Sequence, residues 1–134
     1  MFDHVSFSVK NYENSVKFYD ETLSLLGYKR EVTLDMPNYK AVGYGNGGIR
    51  PCLWISAAGR EDEEIGKAKG LHFALVAPTQ DAIHQWYTKC LELGGKDNGE
   101  PGPRQHYHAG YYGAFVIDPN GWRLEACLHH YKAK

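Results

Sequence analysis

From His4 to Val9 the chain alternates, with His4, Ser6 and Ser8 on one side and Val5, Phe7 and Val9 on the other. A period of two predicts a strand with one apolar face. Asn11 then stands as an N-cap ahead of Val16, Tyr19, Leu23 and Leu26 at helical spacing, and Gly27 reads as the stop. Tyr28 to Leu34 and Lys40 to Tyr44 predict two further strands. The turn Gly45-Asn46-Gly47-Gly48 follows, and Ile49 to Ser56 predicts another strand. Asn-Gly pairs turn hairpins because both residues tolerate positive φ.

The same order then returns. His72-Phe73-Ala74-Leu75-Val76 is more uniformly apolar, as expected of a strand buried on both faces. Pro78-Thr79 opens a helix whose stripe is Ile83, Trp86, Cys90 and Leu91, and Gly94-Gly95 ends it. Gly110 to Ile117 and Trp122 to Leu128 predict strands around the turn Asp118-Pro119-Asn120-Gly121. With His4 laid over His72, Phe7 falls on Leu75, Phe18-Tyr19 on Trp86-Tyr87, Leu23 on Leu91 and Gly27 on Gly95, with no gap. The chain is a duplication. The expected fold is α+β, two tandem βαβββ modules forming a half-barrel around a central cavity. One domain over residues 1–134 would hold module one at 1–58, a linker at 59–70 and module two at 71–130. Equivalent positions of the two copies are expected to face each other across the hollow.

Composition narrows the function. Of 134 residues, 43% are hydrophobic and 23% charged, with a formal net charge of −1 and a pI near 6.6. That balance offers no footprint for nucleic acid or an anionic membrane. The acidic run Glu61-Asp62-Glu63-Glu64 reads as a solvated loop, and no stretch approaches a membrane span. Cys52, Cys90 and Cys127 are odd in number and lack CxxC spacing, so they are expected to be reduced thiols. The N-terminus enters its first strand with no basic or apolar leader ahead of it, and a cytoplasmic location is expected.

His4 and His72 occupy equivalent first-strand positions. Each alone reads as a histidine satisfied by a carbonyl or water; placed by duplication around one cavity, they become a candidate metal pair. Glu125 sits in the apolar run Trp122 to Leu128. Either it is buried and coordinated, or it faces solvent beside Arg123. Two imidazoles and one carboxylate suit Fe(II) and tolerate Mn, Ni, Co or Zn. The segment Pro101 to Tyr112 reads as an inserted loop rich in donors and aromatics. There Arg104 is a candidate clamp for a carboxylate or phosphate, and His106 or His108 a candidate acid or base. Tyr107 and Tyr112 are candidate cavity walls, and Trp54 is either a wall or plain core. The alternative for the whole segment is an exposed loop.

The duplicated plan, His4, Gly70-Leu71-His72-Phe73 and the ending Gly110-Tyr111-Tyr112-Gly113-Ala114-Phe115-Val116-Ile117-Asp118-Pro119-Asn120-Gly121-Trp122-Arg123-Leu124-Glu125-Ala126 resemble the vicinal oxygen chelate superfamily. That superfamily includes glyoxalase I, extradiol dioxygenases, and fosfomycin- and bleomycin-resistance proteins. The resemblance implies paired modules around a divalent metal, with His4, His72 and Glu125 at three ligand positions. It also implies a small-molecule substrate and a homodimer. The fourth, carboxylate ligand of glyoxalase I falls on Trp54, so glyoxalase I chemistry is not expected. The expectation is a metal-dependent lyase, isomerase or dioxygenase acting on a small oxygenated molecule. The alternative is a metal-free protein that binds an antibiotic or other aromatic compound.

Overall fold

The computed structural model describes residues 1–59 and 62–133; Arg60 and Glu61 of the expected linker and the terminal Lys134 lie outside the described residues. The chain divides into two units, Met1–Glu64 and Ile65–Lys134. Unit one runs β1 (Val5–Ser8), α1 (Tyr12–Ser24), β2 (Lys29–Met36), β3 (Tyr39–Gly45) and β4 (Leu53–Ser56). Unit two repeats it as β5 (Phe73–Val76), α2 (Gln80–Glu92), β6 (Lys96–Pro103), β7 (Tyr112–Ile117) and β8 (Arg123–Leu128). The fold is α+β, a βαβββ module written twice. Among the described residues no helix is long and apolar enough to cross a membrane.

Each unit is a four-stranded sheet, ordered β1-β4-β3-β2 in the first and β5-β8-β7-β6 in the second. The first strand of each pairs parallel to the last, and the remaining pairs are antiparallel. The helix starts follow from capping. The Asn11 side chain accepts the Asn14 amide at 3.2 Å, and the Thr79 hydroxyl accepts that of Ala82 at 3.0 Å.

Strand alternation then sorts side chains onto two faces. In unit one Phe7, Val42, Tyr44, Leu53 and Ile55 are buried together with Phe18, Tyr19 and Leu23 of α1. In unit two Leu75, Ala114, Val116, Leu124 and Ala126 are buried together with Ile83, Trp86 and Cys90 of α2. Each large apolar side chain so buried contributes about 1.5–3 kcal/mol. The opposite faces carry the other parity: His4, Ser6, Trp54 and Ser56 in unit one; His72, Phe115, Glu125 and Cys127 in unit two.

Three elements differ from the sequence expectation. β5 is not buried on both faces: Val76 is 63% exposed, because β5 is an edge strand. β4 begins at Leu53 instead of Ile49, after Pro51, which has no amide hydrogen to donate. β6, Lys-Asp-Asn-Gly-Glu-Pro-Gly-Pro, takes in the start of the segment expected to be a loop. Its register shifts between Asp97 and Gly99 and again before Gly102, so no period of two survives for sequence reading to detect.

Candidate functional site

Unit two assembles a polar cluster on the sheet face away from α2. Glu125, in the middle of β8, is 2% exposed. Its Oε2 lies 3.1 Å from His72 Nε2, and its Oε1 accepts a hydrogen bond from the Tyr111 hydroxyl at 2.5 Å. Of the two sequence readings of Glu125, burial with partners is the one observed. Arg123 instead donates to the Ala68 carbonyl at 3.3 Å.

Local backbone sets the His72 ring. Gly70 adopts φ +76°, a left-handed conformation that glycine takes without cost, and its carbonyl meets His72 Nδ1 at 3.1 Å. A carbonyl only accepts, so Nδ1 carries a proton and donates it. In the neutral ring Nε2 is therefore a lone pair aimed at the buried carboxylate. Phe115, opposite Glu125 across the β7–β8 ladder, presents its ring edge-on to His72 at 6.1 Å between centroids.

The same tautomer logic holds for His4 in unit one. His4 Nδ1 pairs with the Asp3 carboxylate at 2.5 Å, both side chains being exposed. This bond, ahead of the charge attraction, holds the Asp3 carboxyl below its ordinary range. With Nδ1 donating, His4 also presents Nε2. Histidines that ligate metals characteristically tie down their other ring nitrogen to a carboxylate or carbonyl. Both histidines do so, and the donor chemistry fits a divalent metal. Among the described residues no group of three His, Cys, Asp or Glu side chains is gathered into a metal cage. The structure brings His72 and Glu125 together and places His4 in unit one.

The register assigns Trp54 an equivalence the sequence alone does not. In unit one Trp54 pairs with Ser6 of β1 and Gly43 of β3; in unit two Glu125 pairs with Ala74 of β5 and Phe115 of β7. Trp54 and Glu125 are thus the same position in the two copies. Where unit two holds that carboxylate, unit one holds an indole.

The remaining candidates divide. Arg104 pairs by its amide with the Tyr111 carbonyl, and its guanidinium donates to the Glu100 and Pro103 carbonyls at 2.8 and 3.3 Å. Its Cζ stands 5.5 Å from the Phe115 ring centre, so a fixed cation lies on the face that carries Glu125. His108 Nδ1 accepts the Gly110 amide at 3.1 Å, which leaves the proton of the neutral ring on Nε2 to donate to His129 Nδ1 at 3.0 Å. Both His108 nitrogens are thereby engaged, and His106 packs against Tyr107 at 4.3 Å. Tyr112 belongs to the other parity: it is buried, and its hydroxyl meets His84 Nε2 of α2 at 2.8 Å. The tyrosine that reaches Glu125 is its neighbour, Tyr111. One residue of register separates the two, and alternation in β7 was the signal that could have told them apart. Burial, and then the bond to Glu125, push the Tyr111 phenol well above the ordinary tyrosine range.

Comparison with known proteins agrees with this architecture. The chain resembles a glyoxalase/bleomycin resistance protein from Albidiferax ferrireducens T118, at 23% identity over 95% of this chain and 98% of that one, with a TM-score of 0.74. Glyoxalase I from Zea mays superposes with a TM-score of 0.70 at 23% identity, covering 92% of this chain but 44% of the longer maize protein. The trypanothione-dependent glyoxalase I of Leishmania major gives 0.65 at 21% identity, over 94% of this chain and 84% of that one. No curated protein matches the chain. The sequence profile of the Glyoxalase/Bleomycin resistance protein/Dioxygenase superfamily matches residues 1–126, and the chain belongs to that superfamily.

Proposed function

We propose that the protein is a divalent-metal-dependent enzyme acting on a small oxygenated molecule, with His72, Glu125 and His4 as metal ligands. The observation that carries this reading is a shared contact: Nδ1 of His72 meets the Gly70 carbonyl and Nδ1 of His4 meets the Asp3 carboxylate, so Nε2 of each ring is the nitrogen a metal would take. A buried carboxylate stands beside one of them. When bound, a divalent metal supplies Lewis acidity toward a chelating pair of substrate oxygens. The chain's own residues then orient that substrate. Arg104, fixed over Phe115, offers its remaining guanidinium edge to a carboxylate or phosphate. Tyr107, exposed on its loop, offers an aromatic surface. Trp54, at the position equivalent to Glu125, leaves unit one without the carboxylate that glyoxalase I uses to move a proton, so the proposed activity is a lyase, isomerase or dioxygenase reaction. A cytoplasmic homodimer completes the proposal.

The test is equilibrium dialysis of untagged protein against Mn, Fe, Co, Ni and Zn, with elemental analysis. Saturable binding lost in His72→Ala and Glu125→Gln, and weakened in His4→Ala, is expected. No saturable binding by the wild type overturns the reading. A second reading, metal-free capture of an aromatic compound, is favoured by the ring cluster of Tyr107, Tyr111, His108 and His129. It predicts thermal stabilisation by aromatic ligands that a chelator leaves unchanged.

A further inference from the structure

We infer that Tyr111 is the positioning residue of Glu125, its hydroxyl engaging Oε1 so that Oε2 alone is offered beside His72 Nε2. The inference rests on the metal reading above and deepens it. A carboxylate on a side chain with three rotatable bonds can turn either oxygen, or both, toward a cation. Here one oxygen is spoken for by a phenol at 2.5 Å while the other stands 3.1 Å from the imidazole.

The phenol is itself held. Three rings meet Tyr111 edge-on: Tyr107 at 5.0 Å, His108 at 5.4 Å and His129 at 4.9 Å between centroids. The His108–His129 bond ties two of these rings to each other, so the loop and the segment after β8 brace Tyr111 together. Gly113 lies beside this contact: a Cβ there would come within 3.1 Å of Glu125 Oε1 and 3.3 Å of the Ala126 carbonyl, and the carboxylate would have to give by a few tenths of an ångström. Packing of this kind does not need a hydroxyl. A phenylalanine at 111 would fill the same ring environment, so the oxygen is what the carboxylate requires.

The duplication supplies an internal comparison. Glu125 is equivalent to Trp54 and Gly113 to Ala41, so stepping back two residues makes Tyr111 equivalent to Tyr39. Tyr39 has a tryptophan where Tyr111 has its carboxylate. It shares the scaffold position without the function.

The experiment is a Co(II) titration of untagged protein, read by visible absorption and chelator competition, on the wild type, Tyr111→Phe, Tyr39→Phe and Glu125→Gln. Loss of a hydrogen-bond partner to a metal ligand typically weakens affinity by about 10–100-fold, and that loss is expected for Tyr111→Phe. Its Co(II) absorption bands should also shift, because the carboxylate is released to turn. Tyr39→Phe should match the wild type in both. A Tyr111→Phe protein that binds Co(II) within about threefold of the wild type, far inside that range, and with an unchanged spectrum overturns the inference. If the wild type binds no metal, the functional reading falls and this inference with it. If the wild type binds, Glu125→Gln does not, and Tyr111→Phe is unchanged, this inference alone falls. Should Tyr111→Phe melt well below Tyr39→Phe without metal, Tyr111→His, which keeps a donor, decides. Recovered affinity supports the assignment, and a protein that folds but does not recover refutes it.

Discussion

Glu125→Gln is a demanding test because the surroundings state what each atom of the amide would meet. Glu125 is buried, with Oε1 accepting from Tyr111 and Oε2 set 3.1 Å from His72 Nε2. Since the Gly70 carbonyl accepts a hydrogen bond from Nδ1, a neutral His72 shows its lone pair to the carboxylate, and two acceptors face each other. A cation between them would relieve the repulsion. An amide removes the conflict: its oxygen keeps the Tyr111 bond, and its NH₂ donates to His72 Nε2. No polar group is left unpaired. Any His72–Glu125 attraction given up is screened, because the His72 side chain is 43% exposed, and contacts of this kind contribute up to about 1 kcal/mol. Removing a buried charge relieves about 1–3 kcal/mol. Metal-free Glu125→Gln should therefore equal the wild type or exceed it by up to about 2 kcal/mol. At this chain length, 1 kcal/mol moves the melting temperature by about 3–5 °C. Calorimetry in chelator should show a rise of 0 to about 8 °C, while the stabilisation that added metal confers on the wild type disappears. A variant melting more than about 5 °C below the wild type in chelator would make Glu125 a carboxylate that holds the fold, and its burial would no longer argue for a site.

Two further outcomes test the scaffold. Asp118, buried in the turn before β8, accepts the Asn120, Gly121 and Trp122 amides through Oδ1 at 2.9, 2.8 and 2.8 Å. Asp118→Ala should cost about 2–4 kcal/mol in urea unfolding, with Asp118→Asn recovering more than half, because an amide oxygen still accepts; a loss below about 0.5 kcal/mol would mean that water replaces the carboxylate. Burial, and then the charge of Asp20, push the Tyr44 phenol far above its ordinary range. A folded-state pKa above the unfolded one gives stability that is intact below about pH 10 and lost as pH rises beyond it. Unfolding free energy should fall between about pH 9 and 11, and more shallowly in Tyr44→Phe; identical slopes would remove Tyr44 from the account.

How much of this the sequence disclosed depended on whether the physics was periodic. β1, both helices, β7 and β8 were legible because each buries one face against a helix, and that burial writes a repeat of 2 or 3.6 into the residues. Asn11 was legible as a cap and Pro78-Thr79 as a helix opening, and in both places a side-chain oxygen replaces a missing helix acceptor. β6 was not, since its bulges and Pro-Gly content break alternation, and it is held instead by its ladder to β7. Ala74 and Val76, apolar like Phe73 and Leu75, made β5 look buried on both faces, whereas an edge strand with a helix on one side needs apolar residues at every second position only. Within the site, Glu125 announced itself as a carboxylate among apolar neighbours. Tyr111 did not, because tyrosines fill this loop and only the alternation carried back from Ala114 and Val116 separates Tyr111 from Tyr112.

That difference explains why the duplicated halves resemble each other in pattern yet not in chemistry. A core position accepts any apolar side chain of suitable volume, so Phe7 and Leu75, or Phe18-Tyr19 and Trp86-Tyr87, interchange without altering the fold. A ligand position accepts almost nothing else. At the one place where the two sheets' registers coincide most tellingly, one copy holds Trp54 and the other Glu125. The indole and the Pro51 ring both lie over Gly43, where an added Cβ would meet Pro51 at 2.9 Å and Trp54 at 3.0 Å; the carboxylate is caught between Tyr111 and His72. The glycines differ as well: Gly43 leaves room for the indole and Pro51 in unit one, while in unit two that position is Phe115 and the glycine lies two residues earlier, at Gly113, beside the carboxylate. Each copy therefore surrounds its own side chain with different neighbours. Exchanging the two residues alone should fail in both places, because the space and the hydrogen-bond partners would remain behind.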